Sequence, residues 1–112
     1  MSVRFCVVQE MLPLAARTAN GQSSGFDFGD ANELTIFVNV TDKSGTNPNL
    51  DISIQTSPDN SVWYDHSDIE TITEEGNYID AIAQYGKYIR ILYELDGTNP
   101  SFTFSVKACR KN

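Results

Sequence analysis

Four stretches of the chain alternate apolar and polar residues with a period of two. Leu34, Ile36, Val38 and Val40 alternate with Thr35, Phe37 and Asn39. Leu50, Ile52 and Ile54 alternate with Asp51, Ser53 and Gln55. Ile89, Ile91, Tyr93 and Leu95 alternate with Arg90, Leu92 and Glu94, and Phe102, Phe104 and Val106 with Thr103, Ser105 and Lys107. Side chains on a strand point alternately to its two faces, so each run predicts a half-buried β-strand. Four one-sided strands need each other's apolar faces, which implies two packed sheets or a closed barrel.

The connections repeat as well. Gly45-Thr46-Asn47-Pro48-Asn49-Leu50-Asp51-Ile52-Ser53-Ile54 returns as Gly97-Thr98-Asn99-Pro100-Ser101-Phe102-Thr103-Phe104-Ser105-Val106. Each copy follows an apolar run, so the unit reads as strand, turn, strand, with Gly45, Pro48, Gly97 and Pro100 as structural turn residues. Gly accepts positive φ, Asn bonds its own backbone in a turn, and Pro favours an extended residue before it. Two copies are too few for a solenoid; a duplicated hairpin, one in each half of a sandwich, fits better. Ser57-Pro58-Asp59-Asn60-Ser61 is a third strong turn signal.

Shorter strands are expected over Val3 to Val8, Gly25 to Phe28, Val62 to Asp65, Glu70 to Thr73 and Asn77 to Ala83. The expected fold is an all-β, antiparallel β-sandwich of seven to nine strands, jelly-roll or Ig-like in topology. Residues 1–112 form one domain, with residues 10–32 as an N-terminal arm or long loop within it. Leu12 to Ala16 is the one place for a short helical turn, with Pro13 in its first turn.

Composition narrows the function classes. At 112 residues, 40% hydrophobic and 21% charged, the chain suits a single globular domain. The formal charge is −7, and the stretch from Asp59 to Tyr85 holds seven acidic residues and no Lys or Arg. Such a balance disfavours nucleic acid, whose phosphates call for Lys and Arg. Lys107, Arg110 and Lys111 make the C-terminus locally basic. No apolar run approaches the roughly 20 residues of a membrane helix. Met1 to Leu14 lacks the n-region, h-region and cleavage site of a signal peptide, so synthesis in a cytoplasm is expected. Cys6 and Cys109 are too few for a disulfide framework or a zinc site and are expected to remain thiols in a reducing compartment.

Catalytic chemistry finds little support. His66 is the only histidine, and its neighbours Asp65 and Ser67 would point away from it on a strand. No pair among the many carboxylates stands out for glycoside hydrolysis. Asp59, Asn60, Asp65 and Asp68 are hard oxygen donors around one turn, but they lack the EF-hand order and turn chemistry already accounts for Asp59 and Asn60. No catalytic residue, metal or cofactor is therefore assigned. Aromatic and apolar groups remain as interface candidates. Of the adjacent Trp63 and Tyr64, Trp63 is expected in the core and Tyr64 outward, as an anchor or a sugar-stacking platform. Phe37 and Leu92 occupy the polar phase of their strands, as if those faces were covered.

The segments Ser44 to Pro48, Leu50 to Thr56, Ser57 to Asp65, Gly86 to Ile91 and Gly97 to Val106 resemble small virion-associated β-sandwich proteins of tailed bacteriophages and prophages. Leu12-Pro13-Leu14-Ala15-Ala16-Arg17-Thr18-Ala19 is similar to their N-terminal arm, which adds Arg17 to the candidate interface. Asn60 stands where Gly is commoner, a change that the same positive-φ turn tolerates. The resemblance implies a non-enzymatic virion structural protein made in the host bacterial cytoplasm and carried on the phage particle surface. Head decoration on the major capsid lattice is the first expectation, as a homo-oligomer such as a trimer. A tail or neck component and a carbohydrate-binding adhesion module are the alternatives.

Overall fold

The computed structural model describes residues 7–31 and 33–111, and over them the alternation runs into two strands far longer than any single apolar run. β1 spans Val7–Arg17, β2 Gly21–Gln22, β3 Phe26–Asp27, β4 Glu33–Ser57, β5 Tyr64–Ile72, β6 Gly76–Ala83 and β7 Tyr88–Lys111. β4 and β7, of 25 and 24 residues, pair antiparallel from Glu33↔Lys111 to Ser57↔Tyr88. This two-stranded ribbon bends once near its middle and folds back on itself.

The two Gly-Thr-Asn-Pro segments form that bend, and this corrects the expectation of two separate hairpins. Thr46 pairs with Thr98, and Ser44↔Ser101 is mirrored by Asn49↔Asp96. The repeats therefore face each other across a local pseudo-twofold axis, with register shifts on either side of Thr46. Gly45 and Gly97 adopt φ of 112° and 117°, and Asn47 and Asn99 each adopt φ of 50°. The asparagines are thus not extended, as the following prolines led one to expect; the sharp bend outweighs the pre-proline preference. Pro48 and Pro100 donate no backbone hydrogen bond and sit where the ladder is already irregular.

Each half of the ribbon is the centre of one layer. The halves Glu33 to Ser44 and Phe102 to Lys111 are flanked by β6 and β1. The halves Asn49 to Ser57 and Tyr88 to Asp96 are flanked by β5 on one side and by β2 and β3 on the other. The fold is an antiparallel β-sandwich without helices. One core fills it: Leu34, Ile36, Val38 and Val40 from the first layer meet Leu50, Ile52, Ile54, Ile89 and Ile91 from the second, with Phe102, Phe104 and Phe28 among them. Its many isoleucines suit strands, where a β-branched side chain loses little rotamer freedom.

Residues 10–31 are woven into both layers, in place of the expected arm or long loop. β1 runs along the C-terminal half of β7, and β2 and β3 along its N-terminal half. The helical turn expected at Leu12 to Ala16 is strand with two register shifts, between Glu10 and Leu12 and between Leu12 and Ala15. Such bulges turn successive residues the same way, and Met11 and Leu12 are both buried. β1 borders only β7, so Pro13 lies on an edge strand, where its missing N–H costs little. The strands expected at Val62 to Asp65 and Glu70 to Thr73 are one strand, β5. The one expected from Val3 lies largely outside the described residues, as does Cys6. Cys109 is buried and disulfide-bonded, not the thiol expected.

Candidate functional site

The sequence-derived candidates fall in separate places. Phe37, 41% exposed, sits on the outer face of the first layer, opposite Ile79 of β6 and Lys107 of β7. Leu92 is half-buried on the second layer, between Ser53 of β4 and Gln22 of β2. Tyr64 is 57% exposed at the start of β5. Trp63 is half-buried, which corrects its assignment to the core. The Arg90 guanidinium lies 4.4 Å from its ring centroid, and the Arg90 Nε donates to Gln55 Oε1 at 2.8 Å. Arg90 and Gly25 both lie against the ring, surroundings that period-two alternation does not anticipate.

Arg17 works mainly within its own chain. Its Nη1 donates to the carbonyls of Phe104 (2.6 Å) and Ala15 (3.1 Å), and its Nη2 to that of Pro13 (2.7 Å). The guanidinium stacks 4.6 Å from Phe104 and 5.5 Å from Tyr93, whose rings meet edge to face. The planar fork satisfies carbonyls that the irregular β1 ladder leaves open, while the ring stack holds it on β7.

The Ser57 turn is closed by its own side chains. Ser57 Oγ accepts from the backbone N–H groups of Asp59 and Asn60 and donates to Asp59 Oδ1. That carboxylate accepts from the N–H groups of Ser61 and Val62, both at 3.0 Å. The Val62 and Ser61 amides, then the Ser57 hydroxyl, hold the Asp59 carboxyl below its ordinary value of 3.8. Asn60 takes φ of 61°. These bonds occupy one carboxylate oxygen of Asp59, and among the described residues no His, Cys, Asp and Glu group is arranged to hold a metal ion.

His66 lies on β5. Its Nε2 approaches the Ala83 carbonyl at 2.9 Å and its Nδ1 the Ser67 hydroxyl at 3.2 Å. A carbonyl only accepts, so Nε2 carries the proton and the ring ties β5 to the end of β6. Its partners are a structural carbonyl and the hydroxyl of Ser67, which strand alternation had turned away from the ring.

Distant residues converge at the end of the sandwich opposite the bend. Asp27, Gly29, Asp30, Ala31, Tyr85, Gly86, Lys87 and Arg110 line a cleft of about 870 Å³. Arg110 pairs with Asp30 at 3.2 Å and Lys87 with Asp27 at 3.8 Å. The Tyr85 hydroxyl is placed to donate to the carbonyls of Phe28 (3.3 Å) and Ala31 (3.2 Å). Burial pushes the Tyr85 phenol above its ordinary 10.0; Asp30 and Glu33 add to this and Arg110 opposes it. The phenol therefore stays protonated near neutral pH. The cleft offers balanced charges and hydrogen-bonding groups for a polar ligand, and no set of nucleophile and base. Sequence reasoning missed it because its members come from two strands and two loops far apart along the chain.

These features define an antiparallel β-sandwich with a polar cleft at one end. Residues 29–109 match the family described as a domain of unknown function, DUF6385, and the chain belongs to that family. No curated protein matches the sequence. Among solved structures it is similar to the PBSX exported protein XepA, with 16% identity and a TM-score of 0.67 over 93% of this chain and 36% of that one. It thus spans about a third of XepA. The SPBc2 prophage-derived protein YomS is similar over 100% of this chain and 97% of its own, with 12% identity and a TM-score of 0.61. A chain of the disulfide-linked pili described as Bacillus endospore appendages matches at 10% identity and a TM-score of 0.55, over 99% and 91% of the two chains. At such identities the likeness is one of fold. No helix of the described residues is long and apolar enough to cross a membrane.

Proposed function

We propose that this protein is a non-enzymatic structural component of a tailed-phage or prophage particle, and within it a head decoration protein that docks on the major capsid lattice as a homo-oligomer. The supporting observation is the end-to-end likeness to the prophage-derived YomS, where the two chains cover each other almost completely. A sandwich of this kind binds partners through its surface. The surface here offers exposed apolar side chains on several elements: Leu14, Phe37, Val62, Tyr64 and Ile79. Weak contacts of this kind gain strength when repeated over a lattice.

Cryo-electron microscopy of particles purified from the producing strain, with mass spectrometry of their protein content, tests the reading. Density for this sandwich on the outer shell is expected. Its presence on the tail instead would replace head decoration with a tail role, and its absence from washed particles would overturn the virion assignment. A second reading, a carbohydrate-binding module, draws on Tyr64 beside the half-buried Trp63. Glycan binding abolished by Tyr64→Ala in a folded protein would favour it.

A further inference from the structure

The sandwich has an open side where two edge strands lie close together. β6 pairs with β4 alone and β5 pairs with β4 alone, in opposite layers, and among the described residues no strand covers either outer edge. An uncovered edge presents a row of backbone N–H and C=O groups ready to pair with another strand. Natural edges are usually blunted by Pro, Lys, a bulge or short length. β6 has none of these: it is eight residues long and keeps one unbroken register with β4, from Glu33↔Ala83 to Val40↔Gly76, with His66 of β5 bonded to the carbonyl of its last residue, Ala83.

The side chains beside this edge differ sharply by face. Asn77, Ile79 and Ala81 share the outer phase with Phe37; Tyr78, Asp80 and Ile82 share the inner phase with Val38, Ile36 and Leu34. Ile79 is 67% exposed, the most exposed large apolar side chain among the described residues. On the other side Asp80 meets Asp68 and Glu70 of β5 in a groove of about 400 Å³, lined also by Ile69, Asn77, Tyr78 and Ile79. The one cation ion-paired along this side is Lys43, with Glu74, beyond the end of the groove. A second copy's β6 would bring Asp80 and its acidic neighbours against the same charges, and like charges facing across strands are destabilising.

From this geometry we infer that the β6 edge accepts an extended segment of a partner protein in which apolar and basic residues alternate. The segment adds as a strand to the first layer, its backbone pairing with β6. Successive side chains of an added strand point to opposite faces. One set lies against Ile79 and Phe37 and is apolar; the other enters the groove beside Asp80, Asp68 and Glu70 and carries Lys or Arg. This inference does not depend on which particle, if any, contains the protein.

The test uses the full chain and synthetic eight-residue peptides with blocked ends. One alternates Val and Lys; a second alternates Val and Glu; a third repeats the Val/Lys sequence with its four central amides N-methylated. Calorimetric titration measures binding, and amide hydrogen exchange locates it. The Val/Lys peptide should bind, slow exchange within residues 76–83 and weaken as salt rises. The Val/Glu peptide should not bind, and N-methylation should cost at least tenfold. Charge reversal by Asp80→Lys with Glu70→Lys should also cost at least tenfold, whereas Glu94→Lys, on β7, should change affinity less than twofold. Circular dichroism and urea unfolding confirm that each variant is folded. No binding of the Val/Lys peptide overturns the inference. So does equal binding of its N-methylated form, protection away from β6, or an equal loss with Glu94→Lys.

Discussion

Replacing Gly45 with Ala probes the bend directly. Gly45 holds φ of 112°, well beyond the left-handed well near +57° that an L-residue can visit. Backbone strain of this sort costs about 1–3 kcal/mol. The added Cβ would also stand 2.6 Å from the Asn99 carbonyl oxygen and 2.9 Å from that of Thr98. Both obstacles are main chain of the opposing repeat, so no side chain can rotate away. Relief requires the two corners to separate, which sacrifices backbone pairing at about 1 kcal/mol per bond. The expected loss is therefore about 2–4 kcal/mol. For a domain of this size that corresponds to a melting temperature lower by roughly 8–16 °C at about 4 °C per kcal/mol.

The pseudo-twofold relation makes the experiment stricter. A Cβ on Gly97 would meet the Asn47 and Thr46 carbonyl oxygens at 2.7 and 2.9 Å, nearly the distances found for Gly45. Gly97→Ala should thus match Gly45→Ala within about 0.5 kcal/mol, in keeping with the usual scatter between equivalent sites. The double variant should lose less than the sum, because one opened corner relieves both clashes. Gly76→Ala supplies the control: its φ is 147°, but the nearest atom to an added Cβ is Tyr78 Cε2 at 4.0 Å. It carries the backbone cost without the clash. Urea unfolding of all four variants measures the differences. A Gly45→Ala loss no larger than that of Gly76→Ala, or clear inequality between the Gly45 and Gly97 variants, would refute the interlocked corner.

Three further outcomes are expected. Arg17→Ala should destabilise the protein by about 2 kcal/mol, since charge-assisted hydrogen bonds and ring stacking are lost together, and Arg17→Lys should recover less than half, because an ammonium lacks the planar fork; urea unfolding reads both. Asp59 has a depressed native pKa, so its contribution is present above the unfolded value near 3.8 and fades as pH falls through the lower native value. The stability gap between wild type and Asp59→Asn should therefore be constant from pH 7 to 5 and close below about pH 4, and a gap independent of pH would contradict the turn's charge-assisted closure. Arg90→Ala should uncover the Trp63 ring and shift its emission to the red, a clean reading because Trp63 is the only tryptophan.

The sandwich was legible because its strands bury one face each. Period-two alternation placed both halves of β4 and of β7, and the strand expected over Asn77 to Ala83 falls one residue short of β6. What alternation cannot show is which strand ends are joined by a turn and which by a bend. Gly-Thr-Asn-Pro has the chemistry of a turn, and only the pairing of Thr46 with Thr98 shows that two such segments bend side by side. Met11 and Leu12 broke the alternation, because a bulge buries consecutive residues, and β1 was taken for an arm. Arg17 and Trp63 eluded sequence reasoning for a related reason. Their surroundings are set by partners far along the chain: Phe104 and Tyr93 for one, Arg90 for the other.

The folded ribbon also explains where variation is possible. β4 and β7 contribute both layers, the bend and most of the core, so a change in their inner phase is felt by both sheets at once. The remaining strands are tied to this spine by their own local devices: Arg17 for β1, Ser23 for the β2–β3 stretch, where its Oγ accepts from the Ile91 N–H at 2.9 Å, and His66 between β5 and β6. Each of these strands forms the edge of a layer, and each can change its outward residues without disturbing the shared core. A fold built this way keeps its architecture while its edges diverge. That agrees with solved structures that share the sandwich with this chain at 10–16% identity. If the β6 edge takes a partner strand as inferred above, recognition falls on the diverging edges rather than on the repeated motif that dominates the sequence.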